Sequence, residues 1–283
     1  MSTLTSISLA PAKPFTSLGR FLEGVENIRN KVNTRVLFRG HSKSSYHLRP
    51  TVGRLHQFGR TKVHGFNYAQ EELLLHRFLR HSYIHSGRVI SEWEALLLAR
   101  HHSLPTRLLD WCVSPLAALY FACSENGDSN GHLWAIAGLR PGPDTLDKNL
   151  DIFKAIKDKP RALDVPERAG GSTTNDSVRI VYPITNTPRI VAQGGVFTWH
   201  TNPSKDLNTY AKEGALFKAE NLDVHCLYCW RIPAGKKHAL LKSLENCGVN
   251  RRTLFPDLDG IATSIWQTEV LFRGKETQKK RKF

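Results

Sequence analysis

Long apolar runs are missing from this chain: no stretch reaches the roughly eighteen residues that a membrane-spanning helix needs. The opening MSTLTSISLAPAKPF has neither the basic start nor the continuous apolar stretch of a secretory signal. Cysteine is scarce. Its five copies, an odd number at irregular spacing, fit reduced thiols in a cytoplasmic protein better than a disulfide framework. Repeats are absent apart from one pentapeptide, VLFRG, at 36–40 and again at 270–274, and low-complexity sequence is confined to the tail. A membrane protein, a disulfide scaffold and a repeat array are all disfavoured.

Acidic residues are also in short supply, 25 against 40 Lys and Arg, for a formal net charge of +15. The last nine residues, KETQKKRKF, hold +4 of this and leave +11 on the rest, so the excess is not a tail effect. Such a balance favours a polyanionic partner, most simply RNA or DNA; the blander reading is a basic protein without one. What is present is the make-up of a globular domain, 40% apolar and 23% charged. At 283 residues, one large core with insertions is the expected organisation. The composition suggests a flexible arm over 1–15, a single domain over 16–274 with an insertion around 140–177, and a basic tail over 275–283.

Along the chain, FTSLGRFLEGVENIRNKV has helical apolar spacing with Thr16 or Ser17 as cap. TRVLFRG reads as a strand ending at Gly40, and the polar HSKSSYHLRPTVGR after it as loop. YAQEELLLHRFLRHSYI is a helix, with Leu73, Leu74, Phe78 and Leu79 expected inward. SEWEALLLARHH is a second, opened by a capping box of Ser91 and Glu94. SLPTRLLDW is strand-like, SPLAALYFACSEN helical, and HLWAIAGL a strand. The 140–177 insertion surrounds one short helix, DKNLDIFKAIK. SVRIVYPI, RIVAQGGVFTWH and VHCLYCWRI read as strands, GKKHALLKSLENCG as a helix, and the second VLFRG as part of a last strand. Strands and helices alternate without a βαβ rhythm. The fold class is α+β: a mixed, mainly antiparallel split sheet around a cleft, with flanking helices.

The densest candidate chemistry is HHSLPTRLLDWCVSPLAALYFA, residues 101–122. Arg107 and Asp110, set among Leu108, Leu109 and Trp111, need partners: either an ion-pair scaffold or a ligand. Ser114 before Pro115 is a strong helix start, and its hydroxyl serves as the cap or touches a ligand at the helix mouth. Cys226 and Cys229 form a C-x-x-C beside His225, but a strand turns positions three apart to opposite sides, so no metal site is expected. His76, His81, His85, His101 and His102 read as solvated surface. Asp259 is a plausible helix cap in FPDLDG, and Trp199 and Trp266 read as core residues rather than base platforms.

The chain resembles the FRG-domain family. The matching residues are Phe38-Arg39-Gly40, Ser42, Tyr46, Leu48, Pro50, Arg54, Trp93, His101, the run from Leu104 to Trp111, Ser114-Pro115, Ala118 to Ala122, and Gln193 to Phe197. They span roughly residues 33–260. The chain departs from the pattern at Arg100 and Ser103, where Gln and Gly are expected.

More distantly, the order TRVLFRG, TRLLDW with the Ser114 helix, and RIVAQGGVFTW resembles the ADP-ribosyltransferase fold. That resemblance implies NAD as substrate, held by Arg39, Gly40, His41, Ser42, Arg107, Asp110 and Ser114. Arg39 would grip a phosphate or ribose, Gly40 would let nicotinamide approach the backbone, and Ser114 would fix the ribose. Gln193 stands at the catalytic position, where a carboxylate is usual, with Glu269 as the spare candidate. The expected acceptor is nucleic acid or a protein bound to it, in a toxin or defence role, with a regulatory protein as a further possible partner. The alternative is a non-enzymatic module that holds a nucleotide or RNA phosphate at Arg39 and Arg107.

Overall fold

The computed structural model describes residues 11–12, 15–31, 35–139, 178–183, 188–200, 202–212 and 226–280. The insertion expected over 140–177, with its short helix, lies outside the described residues.

Nine strands, nine α-helices and one 3-10 turn, Thr51–Gly53, are described. In chain order they begin with β1 (Pro11–Ala12), α1 (Leu18–Lys31) and β2 (Arg35–His41), then a hairpin of β3 (Leu55–Phe58) and β4 (Thr61–His64). α2 (Tyr68–Ser86), α3 (Glu92–His101), β5 (Leu108–Cys112), α4 (Pro115–Cys123) and β6 (Gly131–Leu139) follow. The remainder is β7 (Val178–Val181), α5 (Pro188–Gln193), β8 (Gly195–His200), α6 (Leu207–Lys212), β9 (Cys226–Ile232), α7 (Ala234–Asn246), α8 (Arg251–Leu254) and α9 (Leu258–Lys280). Seven strands form one sheet in the order β1-β9-β6-β2-β5-β8-β7, with β1 parallel to β9 and every other pairing antiparallel.

The sheet is split at its centre. β2 pairs with β6 along nearly its whole length but touches β5 at one bridge, Phe38 to Cys112. Strand alternation assigns the two faces. Phe38, Cys112, Leu133, Ala135 and Trp230 pack under α1, α4 and α7. Leu37, Leu109, Trp111, Trp134, Ile136 and Leu227 build a core on the opposite face. A third cluster joins Leu108, Phe197 and Trp199 to α2 and α3. Leu108 and Cys112 thus belong to two helix-covered cores on one face, and Asp110 sits between them, over the gap.

Local signals explain several elements. Ser17 starts α1, accepting from the Arg20 amide at 3.4 Å. Ser91 and Glu94 form the capping box of α3, and Ser114 caps α4 with Pro115 at its first position. Gly40 is required by packing, because a Cβ there would overlap the Ala118 carbonyl and the Ala122 amide of α4.

Other expectations change. The second VLFRG is helical, inside α9, so it is no strand end, and Glu269 lies on an exposed helical surface. Its N-terminal cap is Asp257, which accepts from the Gly260 amide at 2.7 Å, rather than Asp259. RIVAQGG does not continue the strand of GVFTWH; it forms α5, which ends at Gln193. The polar stretch after β2 is loop as expected, with one 3-10 turn at Thr51–Gly53, and the hairpin of β3 and β4 lies beyond it, where no element was expected. On α2 Phe78 and Leu79 pack against the core as expected, but the most buried positions are Glu71, Leu75 and Ser82, and Leu73 is exposed. Within the expected arm, Pro11 and Ala12 pair with β9, and Phe15 is buried against Phe21. Trp199 is core as expected, but Trp266 is exposed. No group of three or more His, Cys, Asp or Glu that could hold a metal occurs among the described residues.

Candidate functional site

A cleft of about 430 Å³ opens over the split between β2 and β5. Its wall includes Arg39, Gly40, His41 and Ser42 from β2 and the segment after it, Arg54, Arg100 and His101 from the end of α3, and Asp110 from β5. Glu125 follows α4, and Arg189 and Gln193 come from α5. Four guanidiniums therefore face two carboxylates.

Asp110 is the hub. Arg100 grips it with both ends of its fork, Nε to Oδ1 at 2.8 Å and an Nη to Oδ2. Arg39 donates to the Asp110 carbonyl at 2.6 Å and to Oδ2 at 3.3 Å. Past the Phe38–Cys112 bridge, β2 pairs with β6 alone, and there the Asp110 carbonyl accepts from the Arg39 guanidinium. Burial alone would raise the Asp110 pKa; Arg100 and Arg39 overcome it and hold the carboxyl well below the usual carboxylate range. Asp110 is ionised and fully engaged, the opposite of a general base poised near neutrality.

The surrounding cations remain under-compensated. Burial, with Arg39 and Arg100 nearby, lowers Arg54 to about 10. Burial likewise lowers Arg39 and Arg189, in spite of the attraction each feels from a carboxylate. All stay charged at neutral pH. His41 is buried beside Arg39, whose Nε donates to its Nε2 at 3.1 Å. Burial and then Arg39 push its pKa down to about 2, so it is a neutral acceptor.

Lys237 fixes the rim. Its buried ammonium donates to the carbonyls of Ser42 at 2.6 Å, Glu125 at 3.1 Å and Asn126 at 3.0 Å. Asn126 also donates to the Ser42 hydroxyl at 2.8 Å.

Of the candidates from sequence, Arg39, Gly40, His41, Ser42, Asp110 and Gln193 meet at this cleft, and Arg107, Ser114 and Glu269 are not among its lining residues. Arg107 is 1% exposed, held by Glu71 through Nε–Oε1 at 3.0 Å and Nη2–Oε2 at 2.6 Å, with Trp199 beneath its guanidinium at 5.4 Å. Arg107 is therefore part of an ion-pair scaffold, with Glu71 rather than Asp110 as its partner. The Ser114 hydroxyl accepts from the Ala117 amide at 3.3 Å, as a cap does. Gln193 donates to the Leu254 carbonyl at 3.0 Å. Gly40 meets α4, so helix packing accounts for it without a ligand.

Sequence reasoning did not cast Arg54, Arg100, Glu125 or Arg189 as site residues. Arg100 carried a signal: a cation on the last turn of a helix, where the family pattern has Gln. Ser103 explains the other departure, since it adopts φ +64, the left-handed region for which glycine is suited.

Fold and cleft together define a class: an α+β domain whose mainly antiparallel sheet parts at one bridge beneath an arginine-lined cleft. Within that class, residues 34–131 match the model of the FRG domain. The matched span contains Arg39, Arg54, Arg100, Asp110 and Glu125, and ends before Arg189 and Gln193. No curated protein and no solved structure matches the chain. No described helix is long and apolar enough to cross a membrane.

Proposed function

We propose that the cleft binds the phosphate groups of a nucleotide-type ligand. The observation that supports this reading is the charge arrangement: four guanidiniums, with Asp110 already consumed by two of them. Guanidinium forks match phosphate oxygens bidentately, and a phosphate would give a close anionic partner to Arg54, whose fork rests on the Arg49 carbonyl, and to Arg189, which stacks on Phe255. Binding without turnover fits the absence of a basic carboxylate in the Asp110 network.

ADP-ribosyl transfer from NAD, to nucleic acid or to a protein bound to it in a toxin or defence role, is the second reading. Glu125 favours it, because this rim carboxylate stands outside the arginine network and is the type of residue the transfer needs. The test is thermal stability of wild type and Arg39→Ala with ADP, NAD and inorganic phosphate, beside incubation of labelled NAD with RNA, DNA and lysate. A shift with ADP that Arg39→Ala abolishes, without label transfer, is the expected result. Transfer abolished by Glu125→Gln establishes the second reading, and no shift with any ligand removes the first.

A further inference from the structure

The hairpin of β3 and β4 rises from the edge of the cleft. Its base is closed where the Gly65 amide donates to the Arg54 carbonyl at 2.9 Å, and Arg54 itself lines the cleft. Four residues at ~3.3 Å each put Phe58 roughly 13 Å out from Arg54. The turn is the two-residue Gly59-Arg60 between the paired Phe58 and Thr61, with Gly59 at φ +57, as the first position of a tight hairpin turn requires.

Apart from His56, whose Nε2 bonds the Thr51 carbonyl at 2.8 Å, the strand residues of this ribbon are exposed to solvent. Phe58 is 92% exposed at its tip, and Leu55 and Val63 are exposed along it. A small two-stranded ribbon contributes little stability of its own. An aromatic ring held at its tip next to Arg60 has no evident role in packing. Its charge setting is one-sided: from residue 27 to residue 70 the sequence has nine Lys and Arg and no Asp or Glu. That stretch includes Arg39 and Arg54 in the cleft and Arg60 and Lys62 on the ribbon. Asp206 approaches it from elsewhere, at 3.2 Å from His47.

We infer that the ribbon is the docking element for a single-stranded nucleic acid, with a base stacked on Phe58, a phosphate on Arg60, and the strand leading past Tyr46 and Arg54 into the cleft. Unpaired bases present the faces that aromatic side chains stack on, and cations tracking the backbone supply the sequence-independent part of binding. Charge complementarity selects this occupant: Arg60 and Lys62 on the ribbon and Arg54 at its base, within a stretch of sequence that has no acid, repel a basic protein and attract a polyphosphate. The inference rests on the phosphate reading of the cleft for the path of the strand, but not for the contact at Phe58.

The experiment measures fluorescence anisotropy of a labelled single-stranded RNA with wild type, Phe58→Ala, Phe58→Trp, and the pair Phe58→Ala with Arg60→Ala. A thermal shift with ADP is recorded on each. Phe58→Ala should weaken RNA binding about five- to tenfold or more, the range of one lost stacking contact, while Phe58→Trp retains it. Removing Arg60 as well should lower the slope of log affinity against log salt by about 0.7, one phosphate contact to a single strand. The ADP shift should be unchanged in every ribbon variant. RNA affinity unchanged in Phe58→Ala, or absent in wild type, overturns the inference. A missing ADP shift with ribbon-dependent RNA binding overturns the cleft reading and leaves the ribbon standing.

Discussion

Arg107 and Asp110 are three residues apart on one short run, yet they belong to two ion-pair groups built in different ways. Arg107 and Glu71 are sealed: each is buried, and Glu71 accepts from the Arg107 backbone amide at 3.2 Å as well as from the guanidinium. Asp110 faces the cleft, 38% exposed in its side chain, with Arg39 and Arg100 at 14% and 17%. One carboxylate per cation closes the first group. The second has two cations for one carboxylate, with Arg54 and Arg189 beside it. The difference shows that a guanidinium–carboxylate contact has no fixed meaning. Stoichiometry and exposure separate a bolt between α2 and β5 from a receptor for an anion.

The largest effect should come from breaking the sealed group. Glu71→Ala leaves a buried guanidinium uncompensated and should cost about 3–5 kcal/mol in urea unfolding, without touching the cleft. Arg39→Ala should cost less, about 1–2 kcal/mol, because the Asp110 carbonyl loses its donor in a site that water can reach. It should abolish the ADP shift, a separation that Glu71→Ala cannot produce. If Arg39→Ala keeps the shift while Glu71→Ala removes it at a temperature where both are folded, the comparison is inverted.

The two regions also predict an order in pH. Burial lowers His41 to about 2 and His200 to about 3, both below the ordinary histidine value. The unfolded chain takes up protons there that the folded chain refuses. Stability is therefore fully present above roughly pH 6.5 and falls as pH drops below it. Asp110, held low by its arginines, adds a second loss that begins only below roughly pH 4. His200→Gln should flatten the first descent and Asp110→Asn the second, read as unfolding midpoints across pH. Ser114→Ala should remove about 1 kcal/mol through its lost cap and leave the ADP shift intact. Smallest of all, Ser103→Gly should raise stability by up to about 1 kcal/mol, since it relieves a left-handed backbone that serine tolerates poorly.

The two VLFRG copies show how far sequence carries. In the first, Phe38 enters the core, Arg39 meets the cleft and Gly40 admits α4, because β6 and β5 flank it on both sides. The second follows the Asp257 cap and a continuous helical run, so the same five residues join a helix. Tertiary neighbours overrode local preference. On α2 the expected phase holds at Phe78 and Leu79 but not in the first turns, for a similar reason. Apolar spacing favoured Leu73, but Glu71 must face Arg107, and that requirement turns Leu75 inward instead. The caps at Ser91 and Ser114 and the split antiparallel sheet were legible because short-range chemistry and strand patterning specify them. Arg54, Arg100 and Arg189 come to one cleft from three distant segments, a convergence that no local pattern encodes.

Lys237 gives the cleft a thermodynamic character. With all three ammonium bonds spent on carbonyls of the rim, the segments at Ser42 and at Glu125–Asn126 are already in place before a ligand arrives. Association then forfeits little conformational freedom at that side of the mouth, and discrimination between ligands falls on enthalpy and on the rate of escape.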